Sequence, residues 1–304
     1  MKRFLALFVF IPLLLWGAKP DFLVDADWLS EHLNDPKLVL LEVRYHPHRY
    51  YTVGYIEKAI QVQRFKDLGA NNEIPTMRFP KKAAFEKTLR SWGVNNDSLI
   101  VIYDDSRSAL ASRLYFLLDL YGYDMSRVKI VDGGVMEWQN FNELTKDKPT
   151  PKKPGKVTLK EPKNLLVEWT DVYQHIVASR DDRYVLIDSR PNSHYTGAEI
   201  KHSIQGGHIP GAINIVSLDG TEGGASGKWK SMDEIAAMYA NIPKDKTIYL
   251  YCHDGFRMTL GYMQLKALGY KNIKLYNGGW GDWGMNLSLP VVVGNRPYDE
   301  AFEL

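Results

Sequence analysis

The chain repeats itself, and this constrains the fold more than any other feature. Lys37-Leu38-Val39-Leu40-Leu41-Glu42-Val43-Arg44 returns as Tyr184-Val185-Leu186-Ile187-Asp188-Ser189-Arg190, and Gly54-Tyr55-Ile56-Glu57-Lys58-Ala59-Ile60 returns as Gly207-His208-Ile209-Pro210-Gly211-Ala212-Ile213. Ser98-Leu99-Ile100-Val101-Ile102-Tyr103 matches Thr247-Ile248-Tyr249-Leu250-Tyr251. Leu120-Tyr121-Gly122-Tyr123 matches Ala267-Leu268-Gly269-Tyr270, and Asp132-Gly133-Gly134 with Trp138 matches Asn277-Gly278-Gly279 with Trp283. All recur in the same order, roughly 145 to 155 residues apart. That period is too long for a solenoid and fits a duplicated domain.

Each copy alternates short apolar strands with helical stretches, the pattern of an α/β fold. Val185 to Asp188 is the core of a strand buried on both faces. Ser231-Met232-Asp233-Glu234 opens a helix with a serine cap and early acids. The expected architecture is therefore two tandem domains, each a mostly parallel sheet with helices on both faces. The first is placed at 21–145 and the second at 165–291, with a tail over 292–304. Lys146-Asp147-Lys148-Pro149-Thr150-Pro151-Lys152-Lys153-Pro154-Gly155 opens a linker over 146–164 that reads as extended and solvated.

Cys252, the only cysteine in 304 residues, follows the strand Thr247–Tyr251 and precedes a helical stretch beginning near Met258. Ligands of such sheets bind beyond the carboxyl ends of the strands. A thiol in that turn faces backbone N–H groups and a helix N-terminus, both of which favour the nucleophilic thiolate. Gly255 gives the turn its backbone freedom and Arg257 adds a cation. The plain alternative is a small buried core residue, the usual state of a free cysteine.

The 38 Lys and Arg residues nearly balance 36 Asp and Glu, so no nucleic-acid surface is indicated. Nothing in the chain has the spacing of a metal cluster. Lys2 and Arg3, the apolar run Phe4 to Trp16 and then Gly17-Ala18 have the three parts of a secretory signal over 1–18. The run is short for a membrane span, although an uncleaved tether is the alternative reading. The folded part is expected outside the cytoplasm, periplasmic or secreted.

Taken together, Asp188-Ser189-Arg190, Tyr195-Thr196-Gly197, Gly207-His208-Ile209-Pro210-Gly211-Ala212, Cys252-x-x-Gly255-x-Arg257 and Gly278-Gly279-Trp280 resemble the tandem rhodaneses, the two-domain thiosulfate or 3-mercaptopyruvate sulfurtransferases. The resemblance runs from about residue 22 to 290. It implies a catalytic second domain and a catalytically silent first domain, whose corresponding loop, Asp104-Asp105-Ser106-Arg107-Ser108-Ala109, has no cysteine. It also implies a double displacement in which Cys252 becomes a persulfide and passes its sulfur to cyanide or a thiol, with the N–H groups of residues 253 to 257 around it and no cofactor. The site residues implied are Cys252 as catalytic and His253, Asp254, Gly255, Phe256, Arg257, His194 and Arg190 as substrate-binding. Arg190 has a second reading as a buried organiser, and His208 is expected to satisfy backbone groups. Partners are limited to a small sulfur donor and an acceptor, and a monomer is expected.

Two departures bear on the donor. The thiosulfate enzymes carry basic residues after the cysteine, where this chain has His253 and Asp254; the mercaptopyruvate enzymes carry a Gly-Ser pair there. The family's cationic substrate-binding position falls on His194. Of the two donors, thiosulfate is favoured. Phosphatases sharing this fold have five residues between cysteine and arginine, where this chain has four, His253 to Phe256. The alternative function is a carrier that holds persulfide sulfur for a membrane enzyme without turning over.

Overall fold

The computed structural model describes residues 19–70, 77–149, 152–224 and 227–298. The signal expected over 1–18, positions 150–151 of the linker and the end of the tail from 299 lie outside them. The strands are β1 (Leu23–Val24), β2 (Leu38–Val43), β3 (Ile60–Val62), β4 (Leu99–Asp104) and β5 (Val128–Val131) in the first half. The second half has β6 (Leu166–Val167), β7 (Tyr184–Asp188), β8 (Ala212–Asn214), β9 (Thr247–Tyr251) and β10 (Ile273–Tyr276). They form two five-stranded sheets, ordered β1-β5-β4-β2-β3 and β6-β10-β9-β7-β8. Every pair is parallel. The chain runs from β7 out to the edge strand β8 and returns on the other side of β7 as β9. The carboxyl ends of β7 and β9 therefore sit at a switch point, where loops diverge and leave a crevice.

Register makes the two halves equivalent residue by residue. Val43 lies opposite Asp104 and Glu42 opposite Tyr103, and Asp188 lies opposite Tyr251. Asp104 thus stands in the first half where Cys252 stands in the second. Each sheet is apolar on both faces, as buried parallel strands must be. One face packs a local cluster, around Leu40 and Tyr103 in the first half and around Leu186 and Tyr251 in the second. The other faces meet in one continuous core that includes Ile102, Phe116, Leu250, Cys252 and Tyr262.

Two equivalent helices fill that shared core. All twelve residues of Ala109–Leu120 are buried, as are Met258 to Leu265 of Arg257–Ala267. A helix covered all round can be apolar all round, and most of these side chains are. Phe116 meets Tyr262 edge-on at 5.0 Å between ring centroids. The helix Met232–Met238 begins with the expected Ser231 cap, which forms a capping box with Glu234.

The connection between the halves is extended, as its prolines require, but it is not a free tether. Gly155 donates to Arg90 O at 2.8 Å, Val157 to Val94 O at 3.1 Å and Lys160 to Tyr121 O at 2.9 Å. Val157 and Leu159 are buried. The prolines and lysines precede this part, and the apolar residues after Gly155 find a surface on the first half. The tail is also pinned, with Gly211 donating to Pro297 O at 2.7 Å.

Asp119 is one of two charged residues in the first buried helix. It accepts from the Tyr262 hydroxyl at 2.8 Å and pairs with Lys266 of the facing helix and Lys163 of the connection. Burial alone would raise its pKa, but these partners hold the carboxyl below the usual range. Asp119→Ala should destabilise the protein by about 2–3 kcal/mol, read by urea unfolding at neutral pH, because three donors lose one buried acceptor. A lowered folded pKa contributes stability above the unfolded value, 3.8, and loses it as pH falls. The gap between variant and parent should therefore close only in acid, below about pH 4.

Candidate functional site

At the end of β9 the Tyr251 hydroxyl accepts the Ile209 N–H at 3.2 Å, and Cys252 follows, fully buried. Its carbonyl takes the Trp280 N–H at 2.8 Å, and the carbonyl of His253 takes the Gly281 N–H at 3.0 Å. This is backbone against backbone. A Cβ on Gly279, whose φ is +59°, would lie 2.6 Å from Cys252 O. That contact explains the Gly-Gly-Trp motif. Trp280 and Trp283 are themselves core residues.

The loop then curls back on the sulfur. Gly255, at φ +90°, directs its N–H at Cys252 Sγ, 3.1 Å away. Of the N–H groups of 253 to 257, this is the one that reaches the thiol. The Arg257–Ala267 helix begins directly after Phe256, where Thr259 Oγ1 donates to Phe256 O at 2.6 Å. The first half braces this turn: Ser112 Oγ lies 2.8 Å from Thr259 Oγ1 and donates to Phe256 O at 3.3 Å.

His253, Asp254, Phe256 and Arg257 form one wall of a cavity of about 910 Å³, and His194 lies in the same lining. The opposite wall comes from the first half, with Arg49, Arg64, Asp105 and Arg107. Five fixed cations, Arg49, Arg64, Arg107, Lys201 and Arg257, face two carboxylates, Asp105 and Asp254. Lys201 is offset by Glu199 at 2.6 Å. Arg257 makes no ion pair among the described residues but shares its wall with Asp254, so the excess of cations lies across the cavity, where Arg49, Arg64 and Arg107 stand with Asp105. A second cleft of about 790 Å³ in the first half, around Tyr50 and Tyr55, lies away from Cys252.

Burial pulls the His253 ring down to about 4, with Arg257 and Arg190 adding to the shift and Asp254 opposing it. His194 is also lowered, by burial first and then by Arg257, against the pull of Glu199, whose Oε2 is 3.3 Å from its Nε2. His194 therefore lies where expected but as a neutral ring, and Arg257 supplies the charge. Arg190 lies beneath the wall rather than in it. It is buried, donates to Asp188 through Nε and Nη2 at 2.6–3.0 Å and to Gly207 O at 2.6 Å, and lies over the Trp280 ring at 4.3 Å. That is the organiser's geometry, fixing the turn after β7. His208 places its ring nitrogens 2.8 Å from Tyr195 O and 3.0 Å from Arg296 O.

The first half shows what such a loop can hold. Asp104 is buried, and its two oxygens accept four backbone N–H groups: Ser106 and Ser108 at 3.1 Å, Leu110 at 2.9 Å and Ala111 at 3.0 Å. Burial raises this carboxyl above its ordinary value, and the four donors pull the other way. The loop is an anion cradle filled by its own side chain. Its counterparts in the second half are the N–H groups of Asp254, Phe256, Met258 and Thr259.

One site residue was not indicated by the local sequence. Arg113, in the buried helix of the first half, donates from Nη1 to the carbonyl of Asp254 at 2.9 Å. The available signal was a charged residue inside an apolar run, which must have specific partners.

A family model described as the rhodanese-like domain matches residues 25–141 and again residues 170–286. The chain belongs to the rhodanese family. It is 31% identical over 298 residues to the sulfur carrier protein TtuD of Thermus thermophilus, covering 92% of this chain and 99% of that one. It is 29% identical to the 3-mercaptopyruvate sulfurtransferase of Escherichia coli, covering 88% and 96%. To a putative thiosulfate sulfurtransferase of Mycolicibacterium smegmatis it is also 29% identical, covering 91% and 100%. The crystal structure of SseA from Escherichia coli superposes with a TM-score of 0.74 at 26% identity, over 85% of this chain and 98% of that one. This rhodanese is a sulfurtransferase.

Asp104→Asn should destabilise the protein by about 2–4 kcal/mol, because the amide NH₂ would face N–H donors and leave some of them unpaired. The measurement is chemical denaturation followed by far-UV circular dichroism. A loss below about 0.5 kcal/mol would mean that the four bonds contribute little.

Proposed function

We propose that the protein moves a sulfane sulfur from a small anionic donor, thiosulfate in preference to 3-mercaptopyruvate, to a thiophilic acceptor through a persulfide on Cys252. The observation that carries this is the Gly255 N–H aimed at the sulfur of the chain's one thiol, in a loop whose His253, Asp254, Phe256 and Arg257 line the cavity. The Cys252 thiolate attacks the outer sulfur of thiosulfate, the S–S bond of the donor breaks, and sulfite leaves with the bonding pair. Charge balances without a proton. Cyanide or a thiolate then attacks the outer sulfur of the persulfide, leaving as thiocyanate or a new persulfide and restoring the Cys252 thiolate.

A persulfide extends two atoms beyond Cβ, as the Asp104 carboxylate does. The filled cradle of the first half therefore supports a persulfide held by the N–H groups of Asp254, Phe256, Met258 and Thr259. The first half then contributes a wall and a brace, not a nucleophile. Asp254 disfavours a dianion, and the positive wall across the cavity offsets it. The loop length favours sulfur over the larger phosphate group.

A carrier that holds the persulfide without turnover uses the same first step, and the name of the Thermus relative favours keeping it as the second reading. Mass spectrometry after incubation with thiosulfate should show one added sulfur on Cys252 and none in Cys252→Ser. Steady-state assays with cyanide and with thiols then separate enzyme from carrier. Arg257→Ala should raise the KM for thiosulfate roughly tenfold, the worth of about one charge-assisted hydrogen bond. If wild-type protein gains no sulfur from any donor, the transfer reading is wrong.

Residues 1–18 support export, with the folded domains working outside the cytoplasm. Among the described residues no helix is long and apolar enough to cross a membrane. Fractionation of cells making the full chain should put it in the periplasm or medium, shortened near residue 18. A full-length cytoplasmic product would overturn this.

A further inference from the structure

We infer that Arg113, on the catalytically silent half, is a positioning residue for sulfur transfer, fixing the Asp254–Gly255 peptide so that the Gly255 N–H faces Cys252 Sγ. This deepens the reading of Cys252 as the sulfur-accepting thiol and rests on it. A trans peptide is planar, and its C=O and N–H point in opposite directions. On one side Arg113 Nη1 donates to Asp254 O at 2.9 Å. On the other, the Gly255 N–H meets the sulfur at 3.1 Å. One peptide unit thus links a guanidinium to the thiol. A cation on its carbonyl polarises the unit and strengthens the donor at its far end.

Everything around Arg113 holds it to this task. It is fully buried. Nε donates to Leu68 O at 2.8 Å, and Nη2 donates to Met77 O at 2.6 Å and Arg78 O at 3.3 Å. Its Cζ lies 4.3 Å from the Phe79 ring centroid and 5.1 Å from that of Phe256. Among the described residues it has no carboxylate ion pair, so its charge is spent on carbonyls. Burial lowers its pKa to about 10, with the charges of Asp254 and Cys252 opposing; it stays a cation at neutral pH.

The contact also explains Gly255 a second time. A Cβ there would lie 2.1 Å from Arg113 Nη1. The clamp is not a symmetric packing device of the duplicated fold. The residue equivalent to Arg113 in the second half is Gly261, and the residue equivalent to Gly255 in the first is Arg107, whose guanidinium donates instead to Leu218 O and Thr221. The clamp serves only the loop that carries the thiol.

The test uses the full chain with Arg113→Met, Arg113→Lys and Gly255→Ala. Single-turnover sulfur uptake from thiosulfate by Arg113→Met should slow roughly tenfold to a hundredfold, the worth of a charged hydrogen bond. The KM should stay within about threefold, because Arg113 does not line the cavity. Alkylation of Cys252 by iodoacetamide, which needs no donor, should slow in parallel, and Arg113→Lys should recover part of both rates. The Arg113→Met, Gly255→Ala double variant should be little slower than the slower single variant, since both break one unit. Wild-type rates in Arg113→Met, or additive losses in the double variant, would overturn the assignment. If Arg113→Met does not fold, Arg113→Lys with an intact melting curve must still show the loss, or the assignment fails. If wild-type protein takes up no sulfur but alkylation still depends on Arg113, the function falls and the clamp stands.

Discussion

The contact between the buried helices Ala109–Leu120 and Arg257–Ala267 carries the rest of the structure. Both follow the loop after their central strand, so bringing them together brings the two loops to one crevice. The contact is mostly apolar, which makes it strong but indifferent to rotation and sliding. Its few polar links set the alignment. Ser112 with Thr259 and Arg113 with the loop fix one end, and Asp119 with Tyr262 and Lys266 fixes the other. The thiol loop is consequently held on one side by its own sheet and on the other by a domain with no thiol.

The duplicated loops show how one backbone serves two purposes. In the first half the strand-end residue is Asp104, and its carboxylate satisfies the converging N–H groups permanently. In the second it is Cys252, whose side chain is one atom shorter, and its sulfur takes the Gly255 N–H. Ala109 is replaced by Arg257 at the rim, so that a cation meets what enters. The first loop is held by its own carboxylate, whereas the second is braced from outside by Ser112 and Arg113.

Much of this was legible. The repeats gave the two-domain α/β fold, because buried parallel strands leave apolar runs such as Val185-Leu186-Ile187. The lone cysteine before Gly255 and Arg257 marked the loop. Arg190 and His208 were legible in part, since a buried arginine two residues from Asp188 has an obvious partner. What was not legible is long-range. His194 sits at a cation's position, but its neutrality depends on burial and on Arg257, 63 residues away. Arg113 and Asp119 stand out in an apolar helix, yet their partners lie about 140 residues on, and no local pattern names them. The linker misled for a different reason: its prolines and lysines hid Val157 and Leu159, which are apolar and do pack.

That packed connection governs how the molecule comes apart. Its hydrogen bonds run from Gly155 to Lys163 along the first half, so the join between domains is itself an element of the first. The second half then shares a core with the first through the two helices. Among the described residues the connection from Gly155 onward lies against the first half, with Val157 and Leu159 buried. Gene duplication produced two copies of a fold, and because they share one core, unfolding either half would expose apolar surface on the other.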